Sequence, residues 1–278
     1  MVAELVELSK KNPIFRVFIQ GFCKAGFSII SFFKLAQSWL RVRGIGGKKY
    51  RNLKKYKNIY SGKRCFIIAT GPSLTIKDLE KIEKEYSFGM NSIVKAYSST
   101  TFRPTYYGIQ DHIVYNELQN DIMTYYKGCD NVFIADRIAT HYSIDKLWNQ
   151  FPLNMTYHAY DRWFNEKYYA SFSDDIYKQV YSGFSITFSL IEIAVYMGFK
   201  EIYLLGADCN FDNKEKMHFA EYGVIDKAIG SAKERNLAGY HIADEYAKAN
   251  NIKIVNATRG GSLEIFERLS LEEILGEK

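Results

Sequence analysis

The chain has 278 residues, 47% apolar and 24% charged, which excludes a disordered or low-complexity chain and is long enough to bury a full core. Four scattered cysteines without a CxxC pair argue against a disulfide framework or a cysteine zinc site and suit a reducing cytoplasm. The net charge of +6 hides an asymmetry: residues 1–64 hold fifteen basic and two acidic side chains, a net of +13, and the rest of the chain carries −7.

This asymmetry predicts a basic N-terminal arm, residues 1–63, on a mildly acidic catalytic domain, residues 64–278. On a helical wheel, Pro13–Arg41 places Ile14, Phe15, Phe18, Phe22, Ile29, Phe32, Phe33, Ala36 and Leu40 on one broad face. Arg16, Gln20, Lys24, Ser28, Ser31, Lys34, Ser38 and Arg41 fall opposite. The longest uncharged stretch, Ala25–Phe33, is far shorter than the ~20 residues of a membrane span. No signal-peptide cleavage pattern is present. Ten basic residues and no acid follow between Arg41 and Arg64. Two readings stand: a helix packed on the main domain, or an interfacial helix on an anionic membrane, bound through residues 13–64. The second implies a cytoplasmic protein, peripheral on the inner face of the cell membrane. No recognition motif supports nucleic acid as the partner of the basic run.

From Arg64 the chain alternates. Arg64–Ala69 reads as a buried strand, Thr70–Ser73 as a tight turn and Thr75–Glu85 as a helix. Ser87–Asn91, Thr105–Ile109 and Asn131–Ala135 are further strands, and His141–Ser182 is Tyr-rich and irregular. Gly183–Met197 is a strongly apolar helix closed by Gly198. Glu201–Gly206 is a strand, Asn236–Asn250 a helix and Ile252–Val255 a last strand before a Gly-rich loop, 256–262. The expected fold is α/β, a mostly parallel sheet with helices on both faces and ligands beyond the carboxyl ends of the strands.

The candidate site residues follow from that rule. Thr70, Gly71, Pro72 and Ser73 join a strand to a helix, so their backbone amides and the Ser73 hydroxyl suit an anion. The turn matches neither GxGxxG nor GxxxxGK[ST]. Asn91 and Asp111 follow two strands and suit a base or ribose. Ser182 and Gly183 open the apolar helix and offer a second anion site. Asp208 follows a strand, and His218, ten residues on, is a candidate base for an acceptor hydroxyl. Arg259, in the last Gly-rich loop, is a candidate charged clamp. The remaining histidines show no HxH or HExxH spacing, so no metal is assigned. No GxSxG elbow indicates a serine hydrolase.

Taken in order, Cys65–Leu74 (CFIIATGPSL), the Ser182-Gly183 helix, Gly198–Asp208 (GFKEIYLLGAD) and Asn256–Gly261 resemble the 6-hydroxymethylpterin diphosphokinase-like superfamily. That group includes the Maf flagellin glycosyltransferases, and the segments are also similar to Campylobacter-type sialyltransferases. The resemblance spans Arg64 to Ile265. It implies a Rossmann-like, GT-A-related domain. It further implies a nucleotide held by Gly71–Leu74, Asn91 and Ser182-Gly183, with His218 in the place of the histidine after the GxD segment. The chain departs from the sialyltransferases at Gln179, where they carry arginine, and at Asn210 and Lys216, where they carry tyrosines.

The expected function is transfer of a sugar, a sialic-acid-like one among the candidates, from a CMP-linked donor to a glycolipid or surface-polysaccharide acceptor. Asp208 would orient His218, and Lys216 or Arg259 would neutralise the leaving phosphate. No cofactor is required. Two alternatives are pyrophosphoryl transfer from ATP to a hydroxymethylpterin, with Mg²⁺ on Asp111 and Asp208, and a non-catalytic scaffold of the same fold.

Overall fold

The computed structural model describes residues 12–156, 170–210, 219 and 232–277. Helix α1 (Pro13–Val42) starts where the sequence places it. Asn12 caps it, its Oδ1 accepting from Ile14 N and Phe15 N at 3.0 and 3.1 Å, and Pro13 takes the first turn, where its missing N–H costs nothing. The apolar face is not packed on the domain: Ile14, Phe18, Phe22 and Phe32 are 81, 69, 74 and 66% exposed. The buried residues of the helix are Ser38 and Arg41, near its end. By length and composition α1 is long and apolar enough to cross a membrane, which its short uncharged stretch did not suggest.

The basic run then folds back into the globule. Lys48–Tyr56 is a 3-10 helix that buries Tyr50, Leu53 and Tyr56. With three residues per turn, this i, i+3, i+6 spacing forms one face, and the lysines and Arg51 between them stay outside. The boundary expected at residue 64 from charge alone therefore cuts through packed structure.

The main sheet is wholly parallel. Its strands are β1 (Arg64–Ile68), β2 (Ser87–Met90), β3 (Tyr106–Ile109), β4 (Val132–Ala135), β5 (Asn149–Phe151), β8 (Glu201–Leu205), β9 (Lys253–Asn256) and β10 (Glu267–Arg268). They lie in the order β10-β9-β8-β1-β2-β3-β4-β5. A separate parallel pair joins β6 (Leu153–Asn154) to β7 (Val180–Tyr181). The irregular section expected over 141–182 thus contains three short strands. Helices α2 (Ile76–Lys81), α3 (His112–Tyr126), α4 (Ile186–Tyr196), α5 (Ala232–Ala249) and α6 (Leu271–Leu275) complete the order. Two apolar clusters cover the two faces of the sheet, one around α4 and one around α3. Burial on both faces explains why β1 reads as a nearly continuous apolar run and why α4, buried almost all round, is mostly apolar.

Two expected helices are shorter than predicted. α2 stops at Lys81 rather than Glu85, after a capping box between Thr75 and Asp78. α4 starts at Ile186, with Ser185 as its cap, so Ser182 and Gly183 form a turn ahead of the helix rather than its first residues.

The strand order has one consequence for function. From β1 the chain runs outward through β2, β3, β4 and β5, then returns to the other side of β1 as β8. The order reverses between β1 and β8, the crevice where open parallel sheets bind ligands.

Candidate functional site

The loops at that reversal meet. Ser73 Oγ donates to Asp208 Oδ2 at 2.8 Å, joining the turn after β1 to the end of β8. Gly71 N donates to Gly206 O at 2.9 Å, and Ala207 N to Thr258 Oγ1 at 2.9 Å, which brings in the loop after β9. Glycine is required at position 71, since a Cβ there would stand 2.0 Å from Asp208 Oδ2 and 2.5 Å from Gly206 O. The close approach expected between this turn and a bound anion is made by the Asp208 carboxylate. Asp208 is buried, and desolvation raises its pKa above the usual aspartate value while the Ser73 hydroxyl and amide pull it down. Asp208 is therefore a partly desolvated carboxyl at the mouth of the crevice, suited to orient a neighbouring imidazole or exchange a proton.

Thr70 is buried beside it, and its carbonyl accepts from Phe219 N at 2.8 Å. Phe219 follows His218 in the chain. His218 and Lys216 themselves lie outside the described residues. Pro72 lies within the turn. The turn does not use the N-terminus of α2 as an anion site, because the Thr75–Asp78 capping box already occupies it.

Arg259 is committed elsewhere. Its Nη1 donates to Asp78 Oδ1 at 2.7 Å, its Nη2 to Asp78 Oδ2 and, at 3.3 Å, to Thr75 Oγ1. This fork fastens the loop after β9 to the cap of α2, so the guanidinium expected to face a leaving phosphate is held by a carboxylate. A void of about 10 Å³, the space of one water, remains between Ser73, Thr258 and Arg259.

The other expected residues lie over β2 and β3. Asn91 follows β2 with φ +43°, and its carbonyl accepts from the Tyr107 hydroxyl at 2.9 Å. Asp111 caps α3, its Oδ1 accepting from Ile113 N at 2.7 Å. Ser182 is buried, and Gln110 Nε2 reaches its Oγ at 3.5 Å. Gln110 Oε1 in turn accepts from Ser189 Oγ at 2.7 Å, linking the end of β3 to α4. Gly183 has φ +47°, and a Cβ there would lie 2.1 Å from the Phe188 ring.

Sequence reasoning missed two residues here. Gln110 stood one position before Asp111, without a motif of its own. Glu192 carried a legible signal, a single acid in the apolar run Ser189–Ala194. It is fully buried, its Oε1 accepting from Ser173 N at 2.5 Å and its Oε2 from Tyr181 N at 2.7 Å, just before Ser182. Burial raises its pKa well above the usual glutamate value, against both amides.

Among the described residues no three His, Cys, Asp or Glu side chains converge as a metal site. Asp111 and Asp208, paired for Mg²⁺ in the pyrophosphokinase alternative, each already accept a hydrogen bond, Asp111 from Ile113 N and Asp208 from the Ser73 hydroxyl. A wider cleft of about 320 Å³, lined by Lys57, Asn58, Asp174 and Lys200, opens at the opposite end, by the starts of β1, β8 and β9.

Two solved structures are similar in fold. The Maf glycosyltransferase of Magnetospirillum magneticum AMB-1 is 16% identical with a TM-score of 0.47, over 80% of this chain and 38% of that one. The chain thus spans well under half of that protein. The sialyltransferase CstII of Campylobacter jejuni, solved with the substrate analogue cytidine-5'-monophosphate, is 15% identical with a TM-score of 0.46, over 76% of this chain and 86% of that one. No curated protein sequence matches. The sequence model of the 6-hydroxymethylpterin diphosphokinase MptE-like family matches residues 46–214, more than half of the chain, including the loops after β1, β2 and β3 and the first residues after β8, and the chain belongs to that family.

Proposed function

We propose that this protein transfers a sugar from a nucleotide-activated, CMP-linked donor to a glycolipid or surface-polysaccharide acceptor on the inner face of the cell membrane. The observation that carries this reading is the convergence of the Gly71–Ser73 turn and Asp208 at the reversal of strand order. In this reading Ser182-Gly183 hold the donor's phosphate and sugar, Thr70–Ser73, whose Ser73 hydroxyl and Gly71 amide are held by Asp208 and Gly206, line the donor site, and Asn91 and Asp111 hold base or ribose. The acceptor oxygen attacks the anomeric carbon, forming the new glycosidic bond. The bond from that carbon to the phosphate oxygen breaks, CMP leaves, and His218 takes the acceptor's proton, oriented by Asp208. Lys216 neutralises the leaving phosphate; Arg259, held by Asp78, fastens the loop instead.

The acceptor class rests on α1. Its exposed apolar face, opposed by Arg16, Lys24 and Lys34 and followed by a basic 3-10 helix, suits the interface of an anionic bilayer. The gathering of its basic residues on one face favours lying on the membrane over crossing it.

The second reading, pyrophosphoryl transfer from ATP to a hydroxymethylpterin, is favoured by the description of the family. Thermal unfolding with CMP, UDP, GDP and ATP, each with and without Mg²⁺, separates the two. A ligand at 100 times its dissociation constant adds about 2.7 kcal/mol of stability. Stabilisation by CMP without Mg²⁺ supports sugar transfer. A shift confined to ATP with Mg²⁺ supports the pyrophosphokinase, and no shift with any nucleotide supports the scaffold alternative.

A further inference from the structure

The foot of α1 is built into the segment that ends at Ser182-Gly183. Arg41 is 7% exposed. Its Nη1 donates to Tyr177 O at 2.9 Å and to the Lys178 carbonyl, and the Tyr177 hydroxyl returns a bond to Arg41 O at 3.2 Å. The guanidinium carbon lies 4.5 Å from the centre of the Tyr50 ring. Tyr50 donates its hydroxyl proton to Asp136 Oδ2, and Asp136 Oδ1 accepts from Leu153 N at 3.2 Å. About two turns earlier on α1, Lys34 Nζ donates to Leu153 O at 3.4 Å. The arm thus grips β6 directly and the lead-in to β7.

These two strands pair with each other, Leu153 opposite Val180 and Asn154 opposite Tyr181. Ser182 N then donates to Asn154 O at 3.2 Å. From the core side Glu192 accepts from Tyr181 N. β7 is held between β6, which the arm grips, and α4, and the next two residues are Ser182 and Gly183. An apolar side chain would seat a helix end at lower desolvation cost than a buried guanidinium. The Arg41 Nη1 group does something an apolar contact does not: its two hydrogens reach two successive carbonyls and so fix the register of the segment.

We propose that Arg41 is a positioning residue for the Ser182-Gly183 loop, and that engagement of α1 by a membrane is transmitted to this loop through the β6–β7 pair. The link to substrate rests on the assignment of this loop to the donor site. The test uses the full chain and two variants, Arg41→Lys and Lys34→Met. Lysine keeps a cation near Tyr50 but is shorter and lacks the planar Nη1 group that spans the Tyr177 and Lys178 carbonyls; Lys34→Met removes the second tether from a partly exposed position. Hydrogen exchange at the amides of Val180, Tyr181 and Ser182 is expected to quicken about tenfold in Arg41→Lys and less in Lys34→Met, with β1 and β8 unchanged. CMP affinity is expected to fall about fivefold in Arg41→Lys without a matching loss of thermal stability. Phosphatidylglycerol vesicles are expected to protect the three amides in the wild type and not in Arg41→Lys.

Unchanged exchange in both folded variants, or equal protection by vesicles in wild type and Arg41→Lys, would overturn the proposal. If Arg41→Lys does not fold, Lys34→Met decides on the same exchange criterion. A wild type that binds no CMP, with exchange still quickened in the variants, defeats the donor assignment and leaves the positioning role standing.

Discussion

Glu192 offers a direct test of how the core holds the candidate site. Its two oxygens satisfy two backbone amides, Ser173 N and Tyr181 N, in a place without solvent. Glu192→Gln keeps one acceptor and turns an NH2 group towards the other amide, leaving a buried donor without a partner at a cost of about 1–3 kcal/mol. Glu192→Leu strands both amides, which doubles that to about 2–6 kcal/mol. The pH dependence adds a sign. In the unfolded chain the carboxyl ionises near its ordinary value, about 4.3. In the native protein burial keeps the proton on to higher pH, so between the two values the native state binds more protons and stability falls as pH rises. Glutamine has no such titration. The advantage of wild type over Glu192→Gln is therefore greatest below the ordinary glutamate value and shrinks as pH rises through the native one. Urea unfolding followed by tryptophan fluorescence, from about pH 4 to about pH 8, measures both terms. An advantage that widened with pH, or a Glu192→Leu protein within about 0.5 kcal/mol of wild type, would refute the reasoning.

Other expectations follow from the same contacts. Gly71→Ala forces Asp208 off Ser73 and is expected to cost about 1–3 kcal/mol, seen as a fall in Tm of roughly 2–4 °C per kcal/mol, together with loss of nucleotide stabilisation. Arg259→Met leaves the buried Asp78 with only its Thr75 bonds; because the arginine is half exposed, the expected loss is about 1–2 kcal/mol in thermal unfolding. Replacing Phe18, Phe22 and Phe32 by serine is expected to leave Tm within about 1 °C and abolish sedimentation with anionic vesicles. The Cys209 thiol is buried and its pKa is pushed up to about 12, so it is expected to resist alkylation near neutral pH while the partly exposed Cys129 reacts; mass spectrometry of the labelled protein reads the order.

The main strands were legible because burial on both faces leaves a local mark. Cys65–Ile68 and Ile202–Leu205 are apolar runs bounded by turns, and their loops carried Ser73 and Asp208 into view. That these two side chains bond to each other was not legible, since the contact depends on β8 returning beside β1. β5 escaped notice for a related reason. Asn149-Gln150-Phe151 has no strand pattern, and buried Asn149 is held by the Tyr56 hydroxyl at 3.0 Å and Val132 O at 3.2 Å. Its partners come from distant parts of the chain. Arg41 likewise reads as one more basic residue on a polar helical face, because the carbonyls that hold it lie far along the sequence. Local pattern reported what each element buries; it was silent on which distant group each polar residue meets.

The parallel pairing of β1 with β8 also sets the order in which the molecule can be completed. Strand β1 finds β2 soon after synthesis, Phe66 opposite Ser87, but its other neighbour β8, with Glu201 opposite Arg64, emerges well over a hundred residues later. At roughly 5–20 residues per second, one edge of this buried strand waits on the order of ten seconds without its partner. An unpaired apolar edge is a template for association with other chains, and pairing across so long a loop is intrinsically slow. The nascent chain is therefore most vulnerable to aggregation in that interval, and yield is expected to depend on chaperone capacity and translation rate more than on the stability of the finished fold.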